Sequence, residues 1–148
     1  MRSLPAILLT LALALTSPPV LAAPSVGGED EIAVYNAAID EAELHNRAAL
    51  TAIDAQDPER VRAELTALRD AFGRLVERFG KTRLVAMKGD PDGVTIMVDV
   101  PMRVVTAQMM IDFGRPAIAT SSLVAVCRLL ATLHVPATPD AAAACDRE

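Results

Sequence analysis

Between Pro58 and Gly80 the chain reads PERVRAELTALRDAFGRLVERFG. Val61, Leu65, Leu68, Phe72, Leu75 and Phe79 recur in alternating steps of four and three, which is the repeat of one face of an α-helix. Arg60, Glu64, Arg69, Asp70, Arg74, Glu77 and Arg78 take the opposite face. Asp57 can cap the start, Pro58 carries the backbone angle that a first helical residue needs, and Gly80 marks the stop. The pattern predicts a helix over 58–79. Arg60 with Glu64 and Asp70 with Arg74 stand at i,i+4, where an ion pair adds a few tenths of a kcal/mol.

The segment before it is helical by the same test. Ile32, Tyr35, Ile39, Ala42, Ala49 and Ile53 form one stripe, and Glu29-Asp30-Glu31 places negative charge where a helix dipole favours it. The prediction is a helix of about 30–55, with Asn46 inside the stripe and Leu44 on the opposite face. Gln56 to Glu59 is too short a link for anything but a fold-back, so the two helices form an αα-hairpin.

Residues 93–114, GVTIMVDVPMRVVTAQMMIDFG, admit two readings. Val94, Ile96, Val98, Val100, Met102 and Val104 alternate as in a strand, and a GDPDG turn before them would allow a hairpin over about 83–100 packed on three helices, an α+β domain. Against this, Thr95, Asp99, Arg103 and Thr106 gather within an arc of about 80° on a helical wheel. The apolar pattern also continues through Met109 to Phe113, and Gly114-Arg115-Pro116 reads as a helix end followed by a helix start. Pro101 inside a helix costs about 3 kcal/mol, but a lone two-stranded hairpin is marginal. The helix, over about 93–113, is the reading adopted. A last helix, about 116–134, carries Ala119, Leu123, Val126, Leu130 and Leu133 as its stripe.

A shift of 58 residues lays the second pair of helices on the first. Pro58 meets Pro116, Leu65 meets Leu123, Leu68 meets Val126, Phe72 meets Leu130 and Leu75 meets Leu133. Two hairpins of similar length predict an all-α, up-down four-helix bundle, with residues 29–135 as one helical domain.

The opening MRSLPAILLTLALALTSPPVLAAPS has a basic start, an apolar run too short to span a membrane, a Ser-Pro-Pro break and small residues at the end. It predicts a signal peptide over 1–22, cleaved after Ala22 or Ala23, then a flexible leader over 23–28. The Ala- and Arg-rich composition points to a bacterial chain, which with the signal peptide sets the expected location in the periplasm or outside the cell. In that compartment Cys127 and Cys145 can pair, tying the tail of 136–148 to the body; a free Cys127 is the other possibility. The chain carries 14 basic against 19 acidic residues, no tryptophan and one tyrosine. That balance argues against nucleic acid, which asks for a basic footprint and stacking rings, and against an anionic membrane surface. Asp99 and Arg103 in the middle of 94–111 argue against a membrane span there.

Chemistry-bearing groups are few. Glu41 and His45 stand at i,i+4 on the first helix and are candidate metal ligands, with Met109 as a soft third donor. Met97, Met102, Met109 and Met110 cluster on the third helix. Met102, Val105 and Met109 lie at core spacing, so the first reading of them is packing. Asn46 reads as a buried polar residue that fixes register. Ser121-Ser122 lack an evident base, and no phosphate loop, zincin spacing or haem-attachment motif occurs. Leu44 and the narrow polar strip of the third helix leave more apolar surface than one small bundle hides. The expectation is therefore a non-enzymatic exported bundle without a cofactor. It would bind a protein partner or itself as a homodimer, in envelope stress or homeostasis. A bundle that binds a small molecule or metal, copper or haem, is the alternative.

Overall fold

The computed structural model describes residues 29–80, 91–135 and 145. The expected signal peptide, leader, connection before residue 91 and most of the tail lie outside the described residues. Four helices follow one another: α1 (Glu29–Asp54), α2 (Pro58–Phe79), α3 (Pro91–Asp112) and α4 (Pro116–Leu133). No strand occurs among the described residues, and the α+β alternative falls. Each helix packs on two neighbours in the ring α1, α2, α3, α4. Contacts between opposite ends fix the directions. Tyr35 meets Phe79 across α1 and α2, Arg62 meets Asp112 across α2 and α3, and Asn36 meets Val135 across α1 and the end of α4. The chain thus runs up, down, up, down.

The core follows the stripes. Tyr35, Ile39, Ala42, Asn46, Ala49 and Ile53 of α1 are buried, as are Val61, Leu65, Leu68, Phe72, Leu75 and Phe79 of α2. Ala119, Leu123, Val126, Leu130 and Leu133 supply the face of α4. By length and composition α4 is the one helix among the described residues able to cross a membrane, and here its apolar face is core. Cys127 and Cys145 are bonded, and both are buried.

The two hairpin links share one geometry. At the end of α1, Gln56 N–H donates to Ile53 O and Asp57 N–H to Ala52 O, with Gln56 at φ 55°. At the end of α3, Gly114 N–H donates to Ile111 O and Arg115 N–H to Met110 O, with Gly114 at φ 66°. Both are Schellman closures, followed by one capping residue and a proline that opens the next helix. The 58-residue echo is therefore physical at the turns as well as in the core.

α3 departs from expectation in two ways. It starts at Pro91, so the Pro-first rule that opens α2 and α4 opens α3 as well. Its core face is Ile96, Val100, Val104 and Ala107, not the methionine-bearing side. Met102, Val105 and Met109 remain 67%, 54% and 47% exposed, which corrects their assignment to the core. Pro101 sits within the helix and lines a shallow apolar groove against Phe72, Gly73 and Val76 of α2. The expected i,i+4 pairs on α2 also give way. Glu64 turns to His45 and Arg74 to Glu41, both across to α1, and Asp70 pairs with its neighbour Arg69. A cross-helix partner competes for the same charge and wins where it is in reach.

Candidate functional site

The sequence-predicted ligands are not brought together. His45 Nδ1 lies 2.9 Å from Glu64 Oε2 in a direct, partly buried contact between α1 and α2. Glu41 accepts from Arg74 at 2.8 Å. Met109 projects from the outer face of α3. Ser121 and Ser122 donate back to the carbonyls of Ala117 and Ile118 in their own helix. Asn46 is fully buried and donates to Leu123 O at 3.1 Å, while its Oδ1 has no protein partner. It is thus the buried polar residue expected, and its bond joins α1 to α4.

Two features remain that the core does not explain. The first is the outward face of α3. Val98, Met102, Val105 and Met109, with Phe113 just past the end of the helix, are each between 47% and 68% exposed and recur at steps of four, three, four and four. On a helix these residues form one stripe. It lies opposite the core stripe, so α3 is apolar on two sides, with Thr95, Asp99, Arg103 and Thr106 along one flank. Together the five side chains offer on the order of 500 Å² of apolar surface, at the size where patches on a monomer mark contact sites.

The second is a seam between α1 and the end of α4. Asn36 clamps Val135 in both directions, donating to its carbonyl at 2.8 Å and accepting from its N–H at 3.1 Å. This holds the chain where it leaves α4 in an extended conformation at His134. His134 Nε2 then faces two carboxylates one and two helical turns further along α1, Asp40 Oδ1 and Glu43 Oε1, each at 3.4 Å. Glu43 is buried and its other oxygen accepts from Arg47 at 2.9 Å. The spacing Asp40-x-x-Glu43 was visible in the sequence, but nothing local linked it to a histidine on another helix.

No family model matches the chain, and no curated protein or solved structure does either. The site must be read from its own chemistry.

Proposed function

We propose that this is an exported, non-enzymatic bundle that works by association, and that its contact surface is the outer face of α3 meeting a second copy of itself. The observation that carries this reading is the spacing. Val98, Met102, Val105 and Met109 follow at four, three, four, which reads the same in both directions. Two such helices laid antiparallel about a two-fold axis put Val98 against the partner's Met109 and Met102 against the partner's Val105. Each small side chain then meets a large one, as interdigitating helices require. An interface in which one patch meets itself is the commonest way that identical chains pair. Both copies together would bury about 1,000 Å² of apolar surface, at the threshold of a specific interface, so a dissociation constant on the order of micromolar is expected. Export is supported by the signal-like opening and by the Cys127–Cys145 bond, a linkage that persists in oxidising compartments.

Sedimentation equilibrium of the protein and of Met102→Glu tests the reading. The wild-type chain is expected to dimerise, and the variant to dimerise at least about 100-fold more weakly, because a carboxylate beside the axis would be buried unpaired twice. A wild-type chain still monomeric at about 100 µM would refute it, given the affinity expected from the area. Register has its own test. A mixture of Val98→Cys and Met109→Cys should cross-link as a heterodimer. Val98→Cys alone should not, since two copies of that residue would sit about 16 Å apart at 1.5 Å per residue.

A further inference from the structure

We infer that Asp40, Glu43 and His134 bind one divalent transition-metal ion at the seam between α1 and the end of α4. Asp40 Oδ1, Glu43 Oε1 and His134 Nε2 all lie within 4.8 Å of one another. Two of them are carboxylate oxygens. If His134 carries its proton on the other ring nitrogen, all three atoms present lone pairs to a common point, and that point needs a positive charge.

Either a proton or a metal can supply it, and distance separates the two. A charge-assisted N–H···O contact closes to about 2.7–2.9 Å. His45 and Glu64 do so in this same molecule, at 2.9 Å. His134 instead stands at 3.4 Å from both carboxylates, equidistant and outside that range. Ligand atoms about 2.0–2.1 Å from a tetrahedral zinc ion are separated by about 3.3–3.4 Å, the edge of the tetrahedron. Both nitrogen–oxygen gaps thus match the spacing of ligands around one ion.

The surroundings suit an ion. Two carboxylates balance a charge of +2 and the neutral imidazole adds none. Arg47 holds the second oxygen of Glu43, so the first is left to act as a single-oxygen ligand. The clamp of Asn36 on Val135 fixes the backbone beside His134 before any ion arrives. Asp40 is 68% exposed at its side chain, which opens the site to water for entry and for a fourth ligand. One nitrogen and two oxygens favour zinc, a borderline ion, or the harder manganese over copper(I), which prefers sulfur. No methionine belongs to the set. Because α1 and α4 close the ring of helices, an ion here would stitch the first element of the bundle to its last. The inference stands apart from the α3 face and survives if that face proves idle.

Titration calorimetry of the tag-free protein, stripped with chelator and supplied with Zn²⁺ or Mn²⁺ alone, tests it. One ion per chain is expected, with a dissociation constant of tens of micromolar or tighter. Asp40→Asn, at an exposed position, and His134→Ala should each weaken binding at least about tenfold, while His45→Ala should leave it unchanged. Circular dichroism of each variant confirms that it is folded. Co²⁺ bound in place of Zn²⁺ should give the visible bands of a tetrahedral site, lost in Asp40→Asn. Binding weaker than about 1 mM, or binding that is lost in His45→Ala and kept in folded Asp40→Asn, would overturn the assignment.

Discussion

Tyr35 gives this fold a spectroscopic probe that nothing else in the chain obscures. It is the only tyrosine, and there is no tryptophan, so the tyrosinate absorption band reports one residue. Its ring is fully buried and meets Phe79 edge to face, with centroids 5.2 Å apart, and its hydroxyl has no protein partner. Desolvation of the charged form pushes its pKa from 10.0 up to about 12. The sign of the linkage follows. Below pH 10 both folded and unfolded chains keep the phenolic proton, and the stability is fully present. Between pH 10 and about 12 the unfolded chain loses the proton while the native chain holds it, so stability falls as pH rises. Two units at about 1.4 kcal/mol each give a loss of roughly 2–3 kcal/mol by the top of that window. Urea unfolding across the range measures it, alongside absorbance titration in the folded state. Tyr35→Phe should remove this part of the pH dependence. At neutral pH it should leave stability unchanged or raise it by about 1 kcal/mol, because a buried hydroxyl without a partner is a cost. A native-state titration centred near 10 with the helical signal intact would refute the reasoning. So would a Tyr35→Phe variant destabilised by more than about 1 kcal/mol, since the hydroxyl would then have a partner.

Three further outcomes are expected. Val104→Ala, on the core face of α3 at 3% exposure, should cost about 2 kcal/mol in urea unfolding, while Val105→Ala, one residue on at 54%, should change monomer stability by less than about 0.5 kcal/mol at dilution. Gln56→Gly and Arg115→Asp should each raise the melting temperature, by about 1 kcal/mol of stability, since Gln56 holds a left-handed conformation and Arg115 caps α4 without a side-chain bond. Cys127→Ser with Cys145→Ser, 18 residues apart, should lower stability by up to about 3 kcal/mol in thermal unfolding, and an unchanged transition would show that the bond adds nothing to the fold.

The first hairpin link shows why those gains remain open. It has a good cap in Asp57, which accepts from Arg60 N–H at 3.0 Å, but a poor left-handed residue in Gln56. The second has the reverse, an ideal Gly114 and a poor cap in Arg115. Each turn is one substitution short of the other's strength.

What could be read from residues alone follows from how many signals each element carries. α2 has a cap, a proline start, a clean stripe and a glycine stop, and its bounds were legible to the residue. α3 confuses because two helical stripes interleave. The core set Ile96, Val100, Val104 and the outer set Val98, Met102, Val105 together place apolar residues at every second position from 96 to 104. That alternation imitates a strand, though neither stripe has a period of two. Which stripe faces inward depends on α2 and α4, and no local rule assigns it, so the methionine side was misplaced. The partners of the candidate metal ligands were hidden for the same reason. Glu41 and His45 share a helix face, but Arg74 and Glu64 on α2 reach them. His134 meets Asp40 and Glu43 only because the fourth helix closes on the first, a juxtaposition of residues far apart in sequence.

The internal echo also supplies a comparison within the chain. By the 58-residue shift α3 corresponds to α1, and both occupy equivalent places in the ring, each touching α2 and α4. The core sets correspond, with Val100, Val104 and Ala107 matching Ala42, Asn46 and Ala49, all buried. The outward sets do not. Val98, Met102, Val105 and Met109 correspond to Asp40, Leu44, Arg47 and Thr51, all exposed and polar at three of four places. One architecture therefore accepts a polar outer face on α1, and the fold itself makes no demand for an apolar one on α3. Isolated apolar residues on a surface need no explanation, but four at helical spacing on only one of two equivalent helices do. If the stripe served folding alone, replacing it with the residues of its α1 counterparts, Val98→Asp, Val105→Arg and Met109→Thr, would lower stability. If it serves association, the replaced protein should melt at the same temperature when dilute and lose only its tendency to pair.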